Sequence, residues 1–222
     1  MNAEKKTLSA PCAAESPACA AIADGMGRRA DAMKRVADCL LAAVCLLAFS
    51  PLFLLCFAAV KCEDGGPAFY AQERVGRGGR KFRILKFRTM GRNAGDDGPK
   101  LYPKGIDPRL TRVGRFLSEH HLDELPQLWN VLRGDMAFVG PRPEQAYFAE
   151  QIMRRDARYA CLYQLRPGVT SYATLYNGYA DTIEKMLRRM ELDLYYLEHR
   201  SWRLDARILW LTFWNIVAGR KF

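Results

Sequence analysis

The sequence predicts an α+β, helix-dominated fold whose N-terminal part enters a membrane. Three observations lead there. Cys39–Val60 is a run of 22 residues without a charge, helical periodicities fill the second half, and strand-like pattern is confined to residues 68–90. With 222 residues, half of them hydrophobic, the chain suits one globular domain with appendages. A formal net charge of +10 calls for an anionic partner and does not choose between nucleic acid, anionic lipid and a phosphorylated substrate.

Residues 1–33 are expected to be a poorly ordered extension. Apart from Lys5-Lys6 they lack the basic start and apolar core of a secretory signal. None of the seven cysteines makes a CxxC pair, none joins a zinc-like Cys/His set, and three lie inside the apolar run. The expectation is a reduced, cytosol-facing chain without disulfides.

Residues 34–62 form the membrane element. The apolar run is long enough to span a bilayer, yet Ser50-Pro51 sits at its centre, where proline deletes a helix hydrogen bond and forces a bend. Ser50 can reach back to a freed carbonyl. Arg28, Arg29, Lys34 and Arg35 precede the run and Lys61 follows it, so a span would place one basic flank on the wrong side. A re-entrant helix broken at Ser50 and Pro51 keeps both flanks cytoplasmic. A kinked single span is the alternative.

Residues 63–222 form the expected cytosolic domain. Ala68–Val75 and Lys81–Met90 read as a small β-hairpin around Gly76-Arg77-Gly78-Gly79. The strand period puts Phe82, Ile84, Lys86 and Arg88 on one face, within a stretch of eight Lys/Arg from Arg74 to Arg92. The Gly- and Pro-rich residues 91–108 predict a loop over a substrate, Arg109–Leu117 a helix, and Leu122–Arg133 a second helix stopped by Gly134. A loop is expected from Pro167-Gly168 to about Gly178, then an amphipathic helix over Thr182–Trp202. Ile208–Val217, with Trp210 and Trp214 ahead of Arg220-Lys221, suits either a helix in the headgroup region or burial in the core.

Two motifs carry chemistry. Asp123 and Glu124 open the Leu122–Arg133 pattern, where free N–H groups favour anions. Acidic residues are common there merely as stabilisers. The second motif is Gly140-Pro141-Arg142-Pro143, whose prolines stiffen the backbone around one guanidinium suited to bidentate phosphate capture. A rigid surface turn is the plainer reading. His120-His121 are adjacent and would point apart on a helix, so they do not predict a metal site.

Together these segments resemble the monotopic phosphoglycosyl transferases, bacterial enzymes that start glycoconjugate assembly on polyprenol phosphate. The resemblance covers about residues 33–222. It rests on Lys34-Arg35 with Asp38, Ser50-Pro51, Gly66-Pro67, Lys86-Phe87-Arg88-Thr89-Met90, Leu122–Asn130, Val139–Glu144 and Pro167-Gly168. It implies an enzyme of the bacterial inner membrane, on its cytoplasmic face, with a UDP-sugar and polyprenol phosphate as partners alongside membrane lipids, and without nucleic acid. It implies Asp123 as covalent nucleophile releasing UMP, and Glu124 as ligand to Mg²⁺. Arg142 would bind phosphate or uridine, with Lys86 and Arg88 as weaker candidates. Ser118-Glu119-His120-His121 stands where Arg-Lys-Thr-Ser is common, which removes a basic residue, and Arg115 or Arg112 would have to compensate. Two other readings compete: a non-enzymatic, membrane-anchored basic domain binding anionic lipid or nucleic acid, and a metal-dependent phosphohydrolase using water.

Overall fold

The computed structural model describes Cys19 and residues 22–92, 107–178 and 180–219. Most of the expected loop over residues 91–108, and Arg220-Lys221, lie outside the described residues.

The apolar run forms two helices, α1 (Arg28–Ala48) and α2 (Ser50–Asp64), bent by 65° at their junction. The cause is local. Pro51 falls in the first turn of α2, where its missing N–H costs nothing, and the Ser50 hydroxyl donates to Leu47 O at 2.8 Å. Neither helix alone is long and apolar enough to cross a membrane; the bent pair together has that length and composition. Gly65, at φ 68°, ends α2 in the left-handed region.

α1 starts five residues before the expected boundary at residue 33, and its approach is packed rather than loose. Met26 is buried, and Gly25 N–H donates to Leu197 O at 2.9 Å. A disulfide joins Cys19 to Cys161 across 142 residues of sequence. The expectation of a chain without disulfides is therefore corrected. Sequence spacing cannot report a pairing that only the tertiary fold creates.

The predicted hairpin is present as β1 (Phe69–Val75) and β2 (Lys81–Phe87), antiparallel, with Tyr70 opposite Lys86. α3 (Arg112–Glu119) follows. The continuous helix expected over Leu122–Arg133 is instead split into a 3-10 turn, Leu122–Glu124, and α4 (Gln127–Arg133). Pro126 precedes α4, and Gly134 at φ 101° stops it as expected.

Two strands were not foreseen. β3 (Ala137–Val139) lies parallel to β4 (Gly168–Thr170), inside the stretch expected to be loop. Gly140 and Gly168 make the approach possible, since a Cβ on Gly168 would come within 2.2 Å of Gly140 N. α5 (Ala146–Arg155), a 3-10 segment (Ala157–Gln164), α6 (Tyr172–Asn177), α7 (Ile183–His199) and α8 (Trp202–Val217) complete the chain.

The largest core gathers Phe148, Ile152, Leu162, Met190, Leu197 and Ile208. Smaller cores seat the bent pair. Cys56 and Val60 of α2 meet Phe87 and Leu117, while Ala42 of α1 meets Ile84, Val131 and Met136. Leu40, Val44, Leu47, Leu54 and Leu55 on α1 and α2 stay exposed, as do Trp210, Phe213 and Trp214 on α8. Ile208 alone turns inward from that stretch to near-complete burial, so α8 divides between the two predicted roles.

Candidate active site

Asp123 and Glu124 sit in a turn, not in a regular helix. α3 ends at Glu119, and His121 then takes φ 57°, the one non-glycine residue with positive φ among those described. That left-handed step reverses the chain into Leu122–Glu124 and turns both carboxylates inward. Asp123 is 8% exposed.

Two cations from distant elements converge on the pair. Lys86 of β2 reaches Glu124 Oε1 at 2.7 Å and Asp123 Oδ2 at 3.5 Å. Arg142 donates to the same Glu124 oxygen at 3.0 Å. Sequence separations of 38 and 18 residues thus close onto one atom.

Asn130 keeps this convergence in register. Its side chain pairs with the β2 backbone as another strand would: Oδ1 accepts Leu85 N–H at 2.9 Å and Nδ2 donates to Arg83 O at 2.8 Å. The strand and α4, which follows the Asp123-Glu124 turn, are therefore fixed to each other through backbone groups near Lys86. Its near-complete burial marks it in the structure, whereas in the sequence it was one residue of a longer motif.

The electrostatics separate the two acids. Burial pushes the Asp123 carboxyl above the usual range and the neighbouring Glu124 charge adds to this, against the pull of Lys86 and Arg142. Partial burial works the same way on Glu124, yet Lys86 and Arg142 hold it well below that range. Arg142 is raised in return by Glu124. One acid is a firm anion, and the other is a more basic carboxylate.

The remaining candidates lie elsewhere. Arg88 is 8% exposed; it is paired with Asp64 and donates to Pro67 O at 2.7 Å, so it ties the end of α2 to the hairpin. The alternation that placed it beside Lys86 could not foresee that partner. Arg115 is exposed on α3, and among the described residues it makes no ion pair with the acidic pair. Gly114 beside it lets α3 approach so closely that a Cβ would fall 1.9 Å from Thr89 O. Ser50 and Pro51 sit at the bend.

Among the described residues no three His, Cys, Asp or Glu side chains gather into a metal cage. The donor set still fits a hard ion shared with a substrate. Glu124 is ionised, Lys86 and Arg142 both meet it on Oε1, and Mg²⁺ is commonly bound through one or two carboxylates plus phosphates.

A buried Asp-Glu pair clasped by a lysine and an arginine, beside a bent apolar helix pair, defines a class that comparison makes explicit. Residues 29–219 match the family model described as bacterial sugar transferase. The chain belongs to that family. The UDP-glucose:undecaprenyl-phosphate glucose-1-phosphate transferase of Caulobacter vibrioides is 43% identical over 174 residues, covering 77% of this chain and 64% of that protein. The UDP-N-acetylgalactosamine-undecaprenyl-phosphate N-acetylgalactosaminephosphotransferase of Aeromonas hydrophila is 40% identical over 180 residues, 81% of this chain and 42% of that protein. The uncharacterized sugar transferase EpsL of Bacillus subtilis is 37% identical over 181 residues, 81% of this chain and 85% of that protein. The chain thus spans less than two thirds of the length of the first two relatives.

Proposed function

We propose that this protein transfers a sugar phosphate from a UDP-sugar to a polyprenol phosphate, through a covalent intermediate on Asp123, and so begins assembly of a surface polysaccharide or other glycoconjugate. The observation that carries this reading is the convergence of Lys86 and Arg142 on Glu124 beside a buried Asp123. The names of the relatives supply the substrate class.

In this mechanism the incoming diphosphate takes over Arg142 from Glu124 and shares Lys86 with it. Arg142 offers a planar fork to phosphate oxygens, and Lys86 stays between the phosphate and the acidic pair. An Asp123 oxygen attacks the β-phosphorus, the phosphorus bond to the bridging oxygen breaks, and UMP leaves with that electron pair. A phosphate oxygen of the polyprenol phosphate then attacks the same phosphorus. The bond to Asp123 breaks, which regenerates the carboxylate. Glu124 would hold Mg²⁺, which would supply charge neutralisation at the diphosphate. The raised basicity of Asp123 favours attack once it is ionised, and Lys86 favours that ionised form.

The same reading places α1 and α2 in the cytoplasmic leaflet of the bacterial inner membrane as a re-entrant pair, with both termini on the cytoplasmic side. Exposed Leu40, Val44, Leu47, Leu54 and Leu55 support it, together with basic residues before α1 and at Lys61. An epitope fused ahead of Met1 should stay inaccessible in intact cells; exposure outside would indicate a span.

The decisive experiment is intact-protein mass spectrometry with a panel of UDP-sugars and Mg²⁺. Wild type should gain one phosphosugar and release UMP, and polyprenol phosphate should discharge the adduct. UMP release without any adduct would favour direct transfer or hydrolysis. Membrane binding with neither would favour a non-enzymatic basic domain.

A further inference from the structure

Behind Arg142 lies a buried charged assembly that the mechanism above does not use. Pro141 and Pro143 have no N–H, so the strut offers few handles, and three of its four carbonyls accept hydrogen bonds. Pro141 O accepts Gly168 N–H at 2.9 Å, Pro143 O accepts Arg74 Nη1 at 3.1 Å, and Glu144 O accepts Val75 N–H at 3.2 Å. Two further holds come from α7. Arg189 Nη1 donates to Glu144 Oε1 at 2.6 Å. Asp193, one helical turn on, is buried beside the backbone of Arg142 and Ala173, and its Oδ1 has no hydrogen-bond partner among the described residues. Glu144, Arg189 and Asp193 are all buried.

Apolar packing would hold a turn at lower desolvation cost, because two buried charges seldom recover what they lose on leaving water. What the charged assembly adds is direction. Each contact fixes one group of the strut, while the Arg142 side chain stays 36% exposed. The exposed end of Arg142 thus swings from a backbone clamped behind it.

We infer that Arg189 and Asp193 are positioning residues, which set the place of the Arg142 guanidinium over Glu124 through the Pro141–Glu144 strut. This rests on the reading of Arg142 as the phosphate-binding arginine. Neither residue touches substrate. Glu144, Arg74 and the Tyr159 hydroxyl are the other charged or titratable groups around them.

The test is a double-mutant cycle read by UDP affinity in the presence of Mg²⁺, with UMP release followed separately. Arg189→Gln should weaken UDP about tenfold in the wild-type background, and under about twofold in Arg142→Lys, where the guanidinium to be positioned is gone. Asp193→Asn, which keeps an acceptor oxygen, should retain more affinity than Asp193→Ala and guards against misfolding of the Arg189 variant. Additive effects would overturn the positioning role, even with UMP release intact. Coupled effects without UMP release in wild type would keep the positioning role and reject the transferase reading. Absence of UDP binding to wild type would overturn both.

Discussion

Lys34 and Lys86 each sit between two carboxylates, and the two settings differ in one respect. Lys34 Nζ lies 3.1 Å from both Asp38 and Asp205, the Tyr196 hydroxyl donates to Asp205 at 2.6 Å, and the lysine side chain is 8% exposed. Lys86 contacts Asp123 and Glu124 at similar distances, but its side chain is 23% exposed and that of its companion Arg142 is 36% exposed. The first cluster joins α1, α7 and α8 and is sealed. The second keeps both cationic heads open to one side. Charges that can reach solvent can exchange partners at small cost, whereas sealed ones must break the fold to do so. Similar residues therefore build a rivet in one place and a site in the other.

Substitutions should separate the two. Asp123→Asn should lower turnover by at least ~10³-fold and abolish the adduct in the mass spectrum, with the fold unchanged by circular dichroism. An adduct on that variant would move the nucleophile elsewhere. Glu124→Gln should cost ~10²-fold and flatten the Mg²⁺ titration; an unchanged titration would place the metal on other groups.

On the sealed side, Asp205→Asn should leave kcat of the folded fraction near wild type. It should lower Tm by roughly 10 °C, since removing one partner of a buried pair costs about 3–5 kcal/mol. Loss of kcat without loss of Tm would erase the contrast. The smallest expected effect is on pH. Lys86 lowers the Asp123 pKa, so Lys86→Met should raise it and move the acid limb of kcat/KM to higher pH. A limb that stays in place would mean that Lys86 does not act on Asp123.

What the sequence revealed follows the range of the forces involved. The bend at Ser50-Pro51 was legible because its cause lies within one helical turn. The hairpin, and the stop at Gly134, were legible for the same reason. The break inside Leu122–Arg133 was not, because His121 adopts a conformation that no side-chain pattern announces. β3 and β4 are three residues each, too short for alternation to register. Arg88 shared Lys86's strand period, yet Asp64 claims it from 24 residues away. The acidic pair, Lys86 and Arg142 could each be picked out as residues; that Lys86 and Arg142 meet on one oxygen of Glu124 required the fold.

α4 gives the short path between these parts a mechanical meaning. At its end, Arg35 of α1 donates to the carbonyls of Val131 and Leu132, while the turn bearing Asp123 and Glu124 leads into its start. Seven residues span only about 10 Å at 1.5 Å each. The helix is thus a stiff lever, hinged on the apolar pair at one end and loaded with the Asp123 and Glu124 carboxylates at the other. One residue inserted into it would turn the loaded end by about 100° while leaving the grip of Arg35 in place.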